Sequence, residues 1–225
     1  MTSPRVLLSA WDIRAKKQLG QNFLIDPSTA SMIVARAGIL PDDVVLEIGA
    51  GLGALTIPIA RVAKKVFAIE KDRQLLQLLK TELMVHNISN VVLENENILR
   101  FNINEFALQC SRQPVVMGNL PYSISSQILV QLISSRNYLN RAVLMFQKEL
   151  AGRLAARAGS KKYGRLTVML GYCADIKSIA RINADLFFPK PKVDSEVLEI
   201  QFRQKRDHIA KDENFLFTVI KAAFG

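Results

Sequence analysis

Apolar residues along this chain gather into short, often β-branched runs separated by stretches of helical spacing. Val44-Val45-Leu46-Glu47-Ile48, Val66-Phe67-Ala68-Ile69, Val91-Val92-Leu93, Val115-Val116-Met117 and Ala142-Val143-Leu144-Met145-Phe146 read as buried strands. Asp26 is a good N-cap and Pro27 a good first residue for a helix over Ser28 to Ala37, which Gly38 ends. Asp72 starts a second helix, Arg73 to Met84, whose leucines at 75, 76, 78, 79 and 83 make a broad apolar face. Ser125 to Ser134 is helical by the spacing of Ile128, Leu129 and Leu132. Gly164 to Cys173 is ambiguous, with Leu166, Met169 and Leu170 favouring helix. Asp175 to Ile182 and Val193 to Phe202 close the series as strands. Strands alternating with helices predict an α/β fold with a doubly wound, mostly parallel sheet covered on both faces.

Two of the strand ends carry chemistry. Val44 to Ile48 runs into Gly49-Ala50-Gly51-Leu52-Gly53, and Ala54-Leu55-Thr56 then opens a helical pattern. A nucleotide-type ligand needs this order, because glycines let the backbone approach it and a helix start offers unpaired N–H groups. The next strand ends at Glu70, about twenty residues after the glycines, where a carboxylate can take both ribose hydroxyls. A nicotinamide oxidoreductase stays open on these grounds, since Ala54 stands where that fingerprint has its third glycine and is a permitted substitute. The fourth strand leads into Asn119-Leu120-Pro121-Tyr122. Proline fixes its own φ and lacks an N–H, so the turn is stiff and the Leu120 carbonyl can point into a pocket. An exocyclic amine such as adenine N6 can give one N–H to that carbonyl and the other to Asn119 Oδ1, with Tyr122 stacked on the ring. That is an amino-methylation site, and with Glu47 it tilts the glycine turn toward S-adenosylmethionine. Glu47 also suits a second task, capping the N–H groups of the turn.

Gln21-Asn22-Phe23-Leu24, Glu47 to Gly53, Asn119 to Tyr122 and Phe187-Phe188-Pro189-Lys190-Pro191-Lys192-Val193-Asp194-Ser195 occur here in that order. In this the chain resembles the rRNA adenine N6-dimethyltransferases of the KsgA type, across its whole catalytic part. The resemblance implies a Rossmann-like S-adenosylmethionine-dependent methyltransferase fold of seven strands with a final antiparallel strand. It also implies dimethylation of two adjacent adenines in a loop near the 3′ end of small-subunit rRNA, one S-adenosylmethionine per methyl, and a role in small-subunit maturation. It assigns Asn22 and Leu24 to the methionine and adenosine end of the cofactor, Gly49 and Gly51 to the turn, and Glu70 to the ribose, with Asn119 reaching both cofactor and acceptor. One position departs from the family: where an Asp usually meets the cofactor's adenine, this chain has Asn97, whose side-chain oxygen can still accept a hydrogen bond, with Glu96 as a substitute if the loop shifts.

The expected reaction is in-line displacement by adenine N6, with Asn119 and the Leu120 carbonyl stabilising the developing positive charge and no strong general base. The base is unstacked into the pocket, and Tyr122 and Phe187 are the aromatic faces expected to receive it. Phe188 is the better candidate for core packing. Alternatives are an Erm-type large-subunit rRNA methyltransferase, from which Lys192-Val193-Asp194-Ser195 leans away, and a non-catalytic ribosome-assembly or transcription factor on the same fold.

Composition agrees with a polyanionic partner. Lys+Arg 30 against Asp+Glu 20 gives a net charge of +10, and a phosphate backbone rewards such an excess through counterion release. Arg14, Lys16 and Lys17 precede the Gln21 motif, and Arg153, Arg157, Lys161, Lys162 and Arg165 crowd one segment; both groups are expected RNA contacts. Cys110 and Cys173 lack metal-ligand spacing and His86 and His208 are scattered, so no metal site is expected and a reduced cytoplasmic setting fits. No run approaches the ~20 apolar residues of a membrane span, and the N-terminus is weakly patterned for a signal peptide, a mitochondrial presequence ranking second. A monomer is expected. The catalytic domain is placed at 1–203 with a basic arm at 1–25. Residues 204–225 follow as a polar linker and an amphipathic helix, Glu213 to Phe224, carrying Phe215, Leu216, Val219, Ile220 and Phe224. That helix is expected either to begin a C-terminal helical domain cut short at Gly225 or to pack back on the sheet.

Overall fold

The computed structural model describes residues 2–203 and 209–224. The polar linker expected at 204–208, His208 included, lies outside the described residues. The helices are α1 (Pro4–Ala10), α2 (Pro27–Ala37), α3 (Thr56–Ala60), α4 (Arg73–Val85), α5 (Ile103–Gln109), α6 (Ser125–Ser135), α7 (Lys148–Leu154), α8 (Arg165–Cys173) and α9 (Glu213–Ala223). The strands are β1 (Phe23–Leu24), β2 (Val44–Ile48), β3 (Lys65–Ile69), β4 (Val91–Glu94), β5 (Val115–Asn119), β6 (Arg141–Gln147), β7 (Ala174–Ile182), β8 (Phe187–Phe188) and β9 (Ser195–Phe202). Seven strands form one sheet in the order β4-β3-β2-β5-β6-β9-β7, and β1 pairs with β8 apart from it.

Five neighbouring strands, β4 to β6 in that order, run parallel, and β9 enters antiparallel between β6 and β7. The expected antiparallel strand is therefore last in sequence but not at the edge. Both faces are covered, which is why β2 reads as an unbroken apolar run. Its alternate residues Val44, Leu46 and Ile48 enter the core that holds α6, and Val45 enters the core under α2 and α3. Glu47 has the parity of Val45 and is drawn into the interior with it.

Local signals set the helix starts. Asp26 accepts from the N–H groups of Ser28 at 3.3 Å and Thr29 at 2.9 Å, and Asp72 from that of Gln74 at 3.2 Å. Helices α5 and α7 span 7 residues each and were not legible as periodic patterns, since two turns give too few repeats. Segment α1 is likewise 7 residues long; Leu7 and Leu8 fasten it to a small cluster with Phe23, Leu52, Leu75 and Leu78.

Helix α9 packs against α8. Ile220 is buried, with Leu216 and Phe217 against the same core, while Phe215 and Val219 face outward. Arg136, itself buried, ion-pairs with Glu213, and the Tyr172 hydroxyl donates to Glu213 Oε1 at 2.9 Å. Phe224 meets the Tyr163 ring edge-on at 6.1 Å between centroids.

Gly118 sets how closely β5 approaches β2: a Cβ there would lie 2.5 Å from the Ile48 carbonyl oxygen, which is backbone and cannot yield. Gly118→Ala is expected to cost about 1–3 kcal/mol by overpacking. Urea unfolding with an unchanged midpoint would contradict this.

Candidate active site

The chain runs from β2 outward to β3 and β4, then returns to β5 on the other side of β2. That reversal leaves a crevice above the carboxyl ends of β2 and β5, where open α/β sheets bind ligands. The Gly49–Gly53 turn follows β2 and the Asn119–Tyr122 tetrad follows β5, so both expected motifs open on one pocket. The strands are in register as Val45↔Val115, Leu46↔Val116 and Glu47↔Met117.

Gly49 and Gly51 have φ of +75° and +55°, values that disfavour any side chain. A Cβ on Gly51 would press on the Phe23 ring at 3.4 Å, and one on Gly49 would lie 3.6 Å from the Asn119 carbonyl oxygen. The turn is held from beneath: the N–H groups of Gly49 and Ala50 donate to the Ile69 carbonyl at 2.9 and 3.2 Å. Glu70 accepts from the Gly51 N–H through Oε2 at 2.9 Å and from the Asp72 N–H through Oε1 at 2.8 Å. Each of its oxygens keeps a second lone pair for the ribose hydroxyls expected there. Burial raises the Glu70 carboxyl above its usual range, against the pull of the Asp72 and Gly51 N–H groups.

Glu47 is 1% exposed and lines the same pocket. Its Oε2 and the neighbouring Thr56 Oγ1 are buried without a hydrogen-bond partner among the described residues. Burial pushes its pKa up to about 7; the Thr56 hydroxyl and N–H oppose the rise and the charge of Glu70 adds to it. A cradle that a Cβ would fill and an orphaned acid beside it fit a nucleoside-type ligand bearing positive charge.

On the other wall, Asn119 Nδ2 donates to the Asn22 carbonyl at 3.0 Å, which fixes the amide and leaves Oδ1 as an acceptor. The Leu120 side chain is buried in the core, and its carbonyl accepts no hydrogen bond among the described residues. Asn22 lines the pocket with its Nδ2 turned to the Gly20 carbonyl at 3.1 Å; Leu24 lines it from β1. The Pro121 carbonyl accepts from the Ile124 N–H at 3.2 Å, closing the stiff turn. Tyr122 also lines the pocket, and its hydroxyl is 3.1 Å from Ser195 Oγ. Burial raises the phenol pKa against that hydrogen bond, so the ring stays neutral. Asn97 lines the pocket too, but its Oδ1 already accepts from the Leu99 N–H at 3.2 Å and its own N–H donates to Glu96 Oε1 at 2.6 Å.

Phe187 requires correction. It is 3% exposed, pairs with Leu24 across β1 and β8, and packs in the core, so it offers no face to a base. Strand β8 turns Phe187 inward and leaves Phe188 half-buried under Arg5 at 4.9 Å, and neither ring lines the pocket. What the fourth motif brings to the site is Ser195. Lys16 is corrected as well: its Nζ pairs with Asp72 at 2.8 Å, and Gln21 Nε2 joins the same carboxylate at 3.0 Å, so it staples the arm to α4. Burial opposes it, but these contacts from Lys16 and Gln21 hold the Asp72 pKa below its usual value. Sequence reasoning missed two supports. Asn95 Nδ2 holds the Glu70 carbonyl at 3.0 Å, and a side chain at Gly20 would meet Pro121 Cβ at 3.4 Å. An amide directly after a strand was the one signal that could have marked Asn95.

The seven-stranded sheet, with a glycine turn and an Asn-Leu-Pro-Tyr turn opening on one switch-point crevice, has the fold of the Rossmann-like methyltransferases, and the nicotinamide alternative falls away. Residues 13–225 match the family described as ribosomal RNA adenine dimethylase, and the chain belongs to that family. It is 50% identical over 224 residues to ribosomal RNA small subunit methyltransferase A of Desulforapulum autotrophicum, spanning 100% of this chain and 78% of that protein. A dimethyladenosine transferase from Plasmodium falciparum superposes with a TM-score of 0.76 at 29% identity, covering 90% of this chain and 70% of that one. The 23S rRNA methyltransferase ErmE gives 0.74 at 27%, covering 88% and 77%. No helix among the described residues is long and apolar enough to cross a membrane, and no group of acidic, His or Cys side chains among them could hold a metal.

The state of Glu47 sets a pH dependence. Its folded pKa of about 7 lies above the ordinary 4.5, so between those values the unfolded chain loses a proton that the folded one keeps. Stability therefore falls as pH rises through that window and levels off above it. Glu47→Gln should be more stable than wild type at pH 8 by about 1–3 kcal/mol, with a flatter curve below; Glu70 leaves a residual slope of the same sign. Urea titrations from acid to alkaline pH that run parallel for both proteins would refute the assignment.

Proposed function

We propose that this chain transfers methyl groups from S-adenosylmethionine to N6 of two adjacent adenines in a loop near the 3′ end of small-subunit rRNA, acting on the immature small subunit as a monomer. The observation that carries the reading is the free acceptor pair, Asn119 Oδ1 and the Leu120 carbonyl, in the wall of the pocket floored by the Gly49–Gly51 turn. A relative named for the small subunit, 50% identical across the chain, favours this substrate over that of ErmE.

Gly49, Gly51, Glu47 and Glu70 fit the nucleoside and methionine parts of the cofactor, with Asn22, Leu24 and Asn97 on the surrounding wall. When bound, S-adenosylmethionine supplies an electrophilic methyl group on a sulfonium. The protein orients the acceptor. Asn119 Oδ1 and the Leu120 carbonyl each accept one N–H of the adenine amine, which turns its lone pair away from them and toward the cofactor side of the crevice. As the nitrogen becomes positive those two oxygens, held by the Asn22 carbonyl contact and by the Pro121 turn, stabilise it without reorganising. Neither is a proton acceptor of consequence, so the surplus proton passes to water. Tyr122, anchored through Ser195, presents its ring to the unstacked base, worth roughly 1–3 kcal/mol.

Asn119→Ala should lower kcat by about 10²–10³-fold, the scale for losing one preorganised hydrogen-bonding group, while S-adenosylmethionine still binds. Single-turnover transfer of labelled methyl to small-subunit rRNA, alongside calorimetry of the cofactor, measures both; a rate within a few-fold of wild type would sink the mechanism.

A further inference from the structure

The N-terminal arm displays an aromatic group that the pocket does not use. Trp11 is the only tryptophan of the chain, and it is 47% exposed at the end of α1. Its backbone is held: the Trp11 N–H donates to the Leu7 carbonyl at 3.3 Å, and the Ile13 N–H to the Leu8 carbonyl at 2.9 Å. Ile13 and Ala15 turn inward against the cluster of Leu7, Leu8 and Phe23, while Arg14 is exposed. The side chains of Arg14 and Lys17 make no hydrogen bond or ion pair among the described residues, in contrast to that of Lys16 between them, which Asp72 holds. Both ends of this segment are built into the pocket wall, at Pro4 and again at Gln18, Leu19 and Gly20.

A large ring held on a fixed backbone, half in water and followed along the arm by two exposed cations, Arg14 and Lys17, is poorly explained by folding, because burying it would stabilise the chain more. It suits single-stranded nucleic acid, which binds by stacking bases on aromatic faces while cations follow its phosphates. We propose that Trp11 is a stacking platform for an unpaired base next to the target adenine, with Arg14 and Lys17 on the adjoining phosphates. The inference rests on the methyl-transfer reading above and assigns the arm to substrate capture.

The single tryptophan makes the test direct. The chain is titrated with a short hairpin RNA whose loop carries two adjacent adenines, following tryptophan fluorescence, and with a fully paired duplex of equal length. The loop RNA should quench Trp11 and the duplex should not. Trp11→Ala should weaken loop binding by about fivefold or more, the lower end of a base-stacking contribution. Trp11→Phe should restore most of it, and neither should alter the salt dependence. Arg14→Ala and Lys17→Ala should instead each reduce the slope of log affinity against log salt by about 0.7. Methyl transfer by wild type to small-subunit rRNA is measured in parallel. Wild type that methylates while its fluorescence ignores the RNA, or Trp11→Ala that binds within twofold, would overturn the platform alone. Wild type that neither methylates nor binds would overturn the reading beneath it and the platform with it. Self-association that Trp11→Ala abolishes would assign the face to a second copy and refute the proposal.

Discussion

The parallel pairing of β2 with β5 is the constraint on which the site depends. It brings residues about seventy positions apart in sequence to adjacent strand ends, where both open on one pocket. The approach is tight because Gly118 stands against the Ile48 carbonyl. With that spacing the Asn119 backbone faces Gly49, and the glycine turn and the Asn119–Tyr122 turn share one crevice. Neither motif has chemistry alone; the glycine turn is common to many nucleotide-binding folds, and a Pro-containing tetrad after a strand is ordinarily a loop.

Electrostatics around the crevice are asymmetric. Three carboxyl groups, Glu47, Glu70 and Asp72, lie on the β2–β3 side, and only Asp72 has a side-chain cation, Lys16. Glu70 is stabilised by the backbone N–H groups of Gly51 and Asp72, and Glu47 only by the Thr56 hydroxyl and N–H. Burial raises both acids, so a positive charge in the pocket would favour their ionised forms. The opposite wall carries neutral acceptors and a neutral phenol. One wall is thus suited to a charged cofactor and the other to a neutral amine whose charge appears only during reaction.

Much of this was legible from sequence because the signals were local. Asp26, Pro27 and Gly38 mark the ends of α2, and the runs at 44–48 and 115–117 are too short and too apolar to be anything but buried strands in a chain that alternates with helices. Phe187 was misread because the orientation of β8 is set by its pairing with β1, a contact across more than 160 residues that no local pattern reports. Lys16 was misread for a related reason: a lysine between two other cations looks like part of a patch until its partner, Asp72, is brought in by the tertiary fold. Ser195 was inside a recognised motif, yet its link to Tyr122 depends on β9 lying beyond β6 in the sheet.

The arm is built differently from the crevice. Crevice residues are fixed by strands and by hydrogen bonds to backbone, and a change at any of them moves its neighbours. The arm is held by a few contacts, Leu7 and Leu8 on one cluster and Lys16 and Gln21 on Asp72, and between these it exposes Trp11, Arg14 and Lys17. Chemistry at a single nitrogen needs the first kind of construction, because a displaced acceptor loses its alignment. Capture of a flexible strand sums weak contacts and tolerates the second. A chain that must do both is expected to divide them, with a deep wall that cannot yield and a shallow surface stapled to its rim.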